Sequence, residues 1–156
     1  MKRCCIIGHR KINYTPELED KLKNSILQLI TKNNVRVFLF SSKSEFVNLC
    51  YDVITQLKSN YPNIRRVFVR AEYPIIDDSY TKYLLSFYEE TYFYSQKLST
   101  SKLSYIKRNE EIIKDSDFCL FYFDKNYAPP TKSNSGTQLA FKFATKKRKT
   151  IINLCE

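Results

Sequence analysis

Glycine is almost missing from this chain: Gly8 and Gly136 are the only two in 156 residues. Glycine reaches positive φ, and lets backbone lie against a ligand, without steric cost. A chain this poor in it has few loops of that kind, and both glycines fall where an apolar run ends or a helix begins. Histidine is scarcer still, with His9 alone, against five cysteines at Cys4, Cys5, Cys50, Cys119 and Cys155. The odd count, the lack of a C-x-x-C pair and the single histidine argue against a disulfide framework and against a metal site. Four of those cysteines lie in apolar runs, where a free thiol behaves as a small hydrophobe. No apolar run approaches the roughly 20 residues that span a bilayer. The apolar part of Met1–Ile7 is too short for a signal segment. A cytoplasmic protein without a membrane partner is therefore expected. Neither G-x-G-x-x-G nor G-x-x-x-x-G-K-[ST] occurs, and there is no nucleophile elbow or paired-carboxylate motif.

What is present reads as one domain over residues 1–156, with 43% hydrophobic and 27% charged residues. There is no repeat, linker or low-complexity tract. The net charge of +10 arises from 26 Lys+Arg against 16 Asp+Glu. Lysine-rich helix ends such as Lys146–Lys149 suit the negative end of a helix dipole, so most of this excess reads as solvated helix surface.

Apolar runs and helical spacing alternate along the chain. Residues 3–7 read as a strand buried on both faces, and 35–40, 64–70 and 118–123 as further strands. Thr15-Pro16 marks a helix start, followed by Leu18, Leu22, Ile26, Leu29 and Ile30 at helical spacing. Ser44 caps a second helix that stops before Tyr61-Pro62. Residues 80–90 and 102–115 read as helices, with a short aromatic strand at 91–95 between them. Ser135-Gly136-Thr137 opens a last helix, and 150–154 closes as a strand. The alternation predicts an α/β fold: a Rossmann-like three-layer sandwich, with a mostly parallel central sheet and helices on both faces.

In such a sheet, ligands sit outside the carboxyl ends of the strands. The loops placed there are Gly8-His9-Arg10, Ser41-Ser42-Lys43-Ser44-Glu45, Glu72-Tyr73 and Ser133 to Thr137. A helix N-terminus offers unpaired N–H groups to a phosphate, so Ser135, Gly136 and Thr137 are candidate phosphate ligands. Arg10 and Arg108 would add bidentate contacts. Taken in order, Cys4-Cys5-Ile6-Ile7-Gly8-His9-Arg10-Lys11, Ser41-Ser42-Lys43-Ser44-Glu45-Phe46, Arg70-Ala71-Glu72-Tyr73-Pro74, Arg108-Asn109, Ser135-Gly136-Thr137 and Ile151-Ile152-Asn153 resemble an uncharacterised bacterial and phage branch of the SLOG superfamily, the group of the Smf/DprA and LOG proteins. The resemblance covers nearly the whole chain. It implies a Rossmann-like pocket for nucleotides or nucleotide-derived ligands, and some relatives are sensor domains in bacterial conflict systems. Members of this branch usually carry glycine at the position of Ser41 and an acid near that of Val47. The G-T-x-x-E motif of the LOG enzymes would place its glutamate at Ala140.

The leading expectation is a protein that senses or sequesters a phosphorylated nucleotide-derived molecule, without a cofactor. Gly8, His9, Arg10, Ser41, Ser42, Ser44, Glu45, Arg108, Asn109, Ser135, Gly136 and Thr137 form the candidate binding set. Alanine at 140 can neither polarise water nor stabilise an oxocarbenium-like charge, which turns the balance from enzyme to binder. The alternative is a nucleotide N-glycosidase or phosphoribohydrolase using Glu45 or Glu72 as its acid. Nucleic-acid binding ranks last, because the basic residues are spread along the chain. Homo-oligomerisation is left open.

Overall fold

The computed structural model describes residues 1–71, 78–94, 100–127 and 135–155. Within them strands and helices alternate without exception: β1 (Lys2–Gly8), α1 (Pro16–Thr31), β2 (Val35–Phe40), α2 (Glu45–Lys58), β3 (Arg65–Arg70), α3 (Asp78–Leu85), β4 (Glu90–Phe93), α4 (Ser101–Lys114), β5 (Phe118–Tyr122), α5 (Gly136–Lys146) and β6 (Thr150–Asn153). The strands form one sheet in the order β4-β3-β2-β1-β5-β6, and each neighbouring pair is parallel. From β1 the chain steps outward to β4, then returns to the other side of β1 for β5 and β6. The strand order therefore reverses between β1 and β5.

Side chains alternate across a strand, and here the alternation separates two cores. On one face Cys4, Ile6, Phe38 and Phe40 meet Leu22 and Ile26 of α1, Phe46 and Ile54 of α2, and Leu84 of α3. On the other, Cys5, Ile7, Leu39, Val69 and Phe121 meet Ile112 and Ile113 of α4 and Ala140 and Ala144 of α5. Burial on both faces is why Cys4–Ile7, Val37–Phe40 and β5 read as unbroken apolar runs. The product is a three-layer α/β sandwich with a Rossmann-like sheet.

Helix starts follow their capping residues. Thr15 accepts the Leu18 N–H at 3.0 Å, Ser44 that of Val47 at 3.2 Å, Thr100 that of Leu103 at 3.1 Å and Ser135 that of Gln138 at 3.0 Å. Each such cap stabilises its helix by about 1 kcal/mol.

One boundary departs from its expectation. Spacing predicts a helix over 80–90, but α3 ends at Leu85 and β4 begins at Glu90. The cause is Glu89. Its carboxylate accepts the Arg66 backbone N–H at 2.9 Å and the Arg66 guanidinium at 2.7 Å, while its own N–H donates to the Arg66 carbonyl at 2.9 Å. These contacts draw 89–93 onto the edge of β3. The aromatic residues that follow serve packing: Tyr92 and Tyr94 lie against the α4–α5 core, and the Tyr94 hydroxyl bonds Asp115. Among the described residues no helix is long and apolar enough to cross a membrane.

Candidate functional site at the carboxyl edge of the sheet

The carboxyl ends of β1, β2 and β5 bring Gly8–Arg10, Ser41–Ser44 and Asp124–Tyr127 to one edge, where α2 and α5 begin. The reversal of strand order between β1 and β5 is where an open α/β sheet leaves a crevice.

The loops on the α1–α2 side are closed by the chain itself. Gly8 does not have positive φ. A Cβ placed there would lie 2.3 Å from Phe46 Cδ2 and 2.6 Å from Phe46 Cβ, so its missing side chain lets the first turn of α2 lie on the end of β1. The Glu45 N–H donates to the Arg10 carbonyl at 2.8 Å, and Glu45 Oε2 accepts the Ile12 N–H at 3.0 Å. Ser44 is spent as the α2 cap, and Ser42 Oγ accepts the Ser44 N–H at 3.4 Å. Ser41 is buried. Arg10 is exposed, and its guanidinium makes no ion pair among the described residues.

His9 is placed differently. Alternation turns it away from Phe46 toward the face that α5 covers, and it is only 2% exposed. Its ring stacks on Tyr127 with centroids 3.9 Å apart, and lies 5.9 Å from Phe123, which packs on Phe141 of α5 at 4.6 Å. Its Nε2 accepts the Asp124 N–H at 2.9 Å, joining the loops after β1 and β5. Its Nδ1 is buried without a hydrogen-bond partner among the described residues. Burial lowers the His9 pKa below the ordinary 6.5, outweighing the opposing charge of Asp124.

Helix phase brings two further groups to this face. Arg108 is one turn before Ile112, and Thr137 is three residues before Ala140 and seven before Ala144. Ile112, Ala140 and Ala144 are all buried against the sheet, so Arg108 and Thr137 project inward at the carboxyl end. Thr137 is buried and Gly136 exposed, with nothing within 4 Å of a Cβ built at Gly136. The Arg108 guanidinium is part-buried and donates to Asn109 Oδ1 at 3.3 and 3.2 Å. It lies 5.4 Å from the Tyr105 ring. Desolvation pushes its pKa down to about 10, against the influence of Tyr105 and of Tyr80 from α3. No carboxylate pairs with it among the described residues. Asn109 and Gly136 line a common groove of about 220 Å³ between α4 and α5, with Ala140 in its wall.

The candidate residues thus fall into two groups. Gly8 lies against Phe46, Arg10 is bonded to Glu45 and Ser42 to Ser44, with Ser41 buried at the end of β2, while His9, Arg108, Asn109, Ser135, Gly136 and Thr137 lie on the α4–α5 face. Glu72, Ser133 and Asn134 lie outside the described residues. Sequence reasoning missed Asp124, Tyr127 and Tyr80, whose contacts are made across the fold and leave no local signal. It also missed a cavity of about 810 Å³ on the α1 side of β5 and β6, lined by Asn13, Lys21, Tyr122, Asp124 and Asn153 among others. Two of its polar groups are engaged locally. Asn153 bonds both the N–H and the carbonyl of Phe123, at 3.0 and 3.1 Å, and the Asn13 N–H donates to the Tyr122 hydroxyl at 3.3 Å.

Fold and crevice define a Rossmann-like α/β domain whose polar groups gather at the carboxyl edge of the sheet. No protein-family model matches the chain, and no curated protein matches it either.

Proposed function

We propose that the chain binds a phosphorylated, nucleotide-derived small molecule at the carboxyl edge of β1, on the α4–α5 face, to sense or sequester it. The observation that carries this reading is Arg108, a part-buried guanidinium without an acidic partner among the described residues. Withdrawing a cation from water without an anion is costly, and a ligand phosphate would remove that cost through a bidentate, charge-assisted contact. The first-turn amides of α5, with Ser135 and Thr137, would take further phosphate oxygens. The resemblance to the SLOG superfamily supports the same ligand class. Glu45, the described candidate acid, has one oxygen on the Ile12 N–H, and Ala140 stands where a LOG-type glutamate would be. Binding without turnover is therefore the reading advanced.

A thermal-shift panel of nucleoside mono- and diphosphates, cyclic nucleotides and ADP-ribose tests it. At least one member should raise the melting temperature of the wild type and not that of Arg108→Met. Without ligand, Arg108→Met should melt at the same temperature or higher, because an unmatched charge has been removed. A panel with no shift, or a shift that survives Arg108→Met, would sink the proposal.

A further inference from the structure

We propose that His9 is a binding residue of this edge and works as a neutral donor: its Nδ1–H takes an anionic oxygen of the ligand, while Nε2 holds the Asp124 loop. The proposal rests on the reading that an anion binds here, and adds how it is held. Nε2 accepts the Asp124 N–H at 2.9 Å, so that nitrogen carries no proton. In the neutral ring the proton is therefore on Nδ1. Among the described residues that N–H is buried and unpartnered, on the face where Thr137 and Arg108 project inward. A buried donor left unmade costs about 1–3 kcal/mol, which an acceptor oxygen would recover.

The ring cannot work as an imidazolium without breaking its own support. A proton on Nε2 would set two N–H groups against each other at the Asp124 backbone. The titratable groups around the ring are Asp124, Tyr122 and Tyr127 from the β5 end, with Arg10 next in the chain. From α5, Phe141 touches the Phe123 ring beside it. The usual histidine–phosphate contact strengthens as the ring gains a proton. Here the sign is reversed, and acidification weakens anion binding.

Because His9 is the sole histidine, an imidazole ¹⁵N spectrum of the intact chain reports this residue alone. At neutral pH it should show the Nδ1–H tautomer. Sulfate is the first probe, since it gains no proton between about pH 5 and 8, where histidine titrates. Sulfate should shift the Nδ1 resonance, with an affinity that falls as the pH is lowered. His9→Gln, which can still accept from Asp124 but offers no donor at the Nδ1 position, should bind sulfate roughly tenfold or more weakly and lose the pH dependence. His9→Asn, which retains that donor, should keep more of the affinity. An Nε2–H tautomer, a charged ring at neutral pH, or a Nδ1 resonance unmoved by sulfate while the nucleotide panel binds would each overturn the proposal. A Nδ1 shift with sulfate and a blank nucleotide panel would leave His9 as an anion donor and remove the nucleotide reading instead.

Discussion

The two faces of the sheet are built on different terms. Among the described residues, α1 and α2 bury eleven side chains in their core, from Leu18 and Leu22 to Ile54 and Leu57, while α4 and α5 bury four in theirs. Two of those four are Ala140 and Ala144, too small to fill the layer. On the thick face the described candidate groups near the carboxyl edge, the exposed Arg10 guanidinium aside, are absorbed by the chain: Glu45 by Ile12, Ser44 by its own helix, and the space beside Gly8 by Phe46. On the thin face Ser135 is likewise used as a cap, but among the described residues Nδ1 of His9 is unpartnered and Arg108 is without an acid. The larger core lies on one side, and the proposed ligand chemistry falls on the other.

The largest effect that should separate the faces is in the cores. Leu22→Ala, in the fully buried stripe of α1, should cost about 2–5 kcal/mol, from lost transfer energy plus the cavity it leaves. Ala144→Gly on α5 removes one methyl and should cost about 1 kcal/mol, mostly in helix propensity. Urea unfolding of the two variants measures both. Equal losses would mean that α5 contributes as much to stability as α1, and the division of labour would fall.

The two glycines give the next contrast. Gly8→Ala must move Phe46, and because the clash includes Phe46 Cβ at 2.6 Å, ring rotation alone cannot relieve it. Shifting the start of α2 should cost about 1–3 kcal/mol. Gly136→Ala meets open space, at a position without positive φ, and should leave stability unchanged or raise it by up to about 1 kcal/mol. Any effect of that variant should appear in ligand binding. A Gly136→Ala protein destabilised as far as Gly8→Ala would show that α5 begins in a tighter setting than its surroundings indicate.

How far these differences were legible in the sequence varies with the range of the interactions behind them. Strand and helix order followed from local patterns: apolar runs at 37–40 and 118–123, and helical spacing after Thr15 and Ser44. The boundary at 85–90 did not, because Glu89 is recruited by Arg66 from another strand. At the site, Gly8 reads locally as a ligand loop, yet its neighbour is Phe46. Glu45 reads as a ribose partner or an acid, yet it holds Ile12. The donor that makes His9 informative lies 115 residues away at Asp124. Ser44 and Ser135 were legible as helix caps, and the placement of Arg108 was within reach. It shares the helical phase of Ile112, an apolar stripe position, although an Arg-Asn pair in a helix more often faces solvent.

The smallest effect sharpens the comparison most, because it belongs to one residue of the thin face. Burial holds the His9 pKa below 6.5 in the folded chain, while the unfolded chain titrates near 6.5. Between the two values the unfolded state binds more protons, so stability rises with pH across that interval. The contribution of His9 is complete above the unfolded value and is lost as pH falls toward and through the folded one. The Arg66-paired carboxylate on the thick face acts lower: Glu89 has its pKa lowered from 4.5 by its bonds to Arg66, so its stabilisation fades only below that value. Acid unfolding should therefore begin on the α4–α5 face, with the loops that His9 joins, before the Arg66–Glu89 pair is disturbed. Melting temperature followed from pH 7.5 down to 5 should decline in the wild type, and decline less in His9→Gln, which has no group to protonate there. Parallel slopes would mean that the imidazole is equally easy to charge in both states and that the Asp124 N–H does not depend on it.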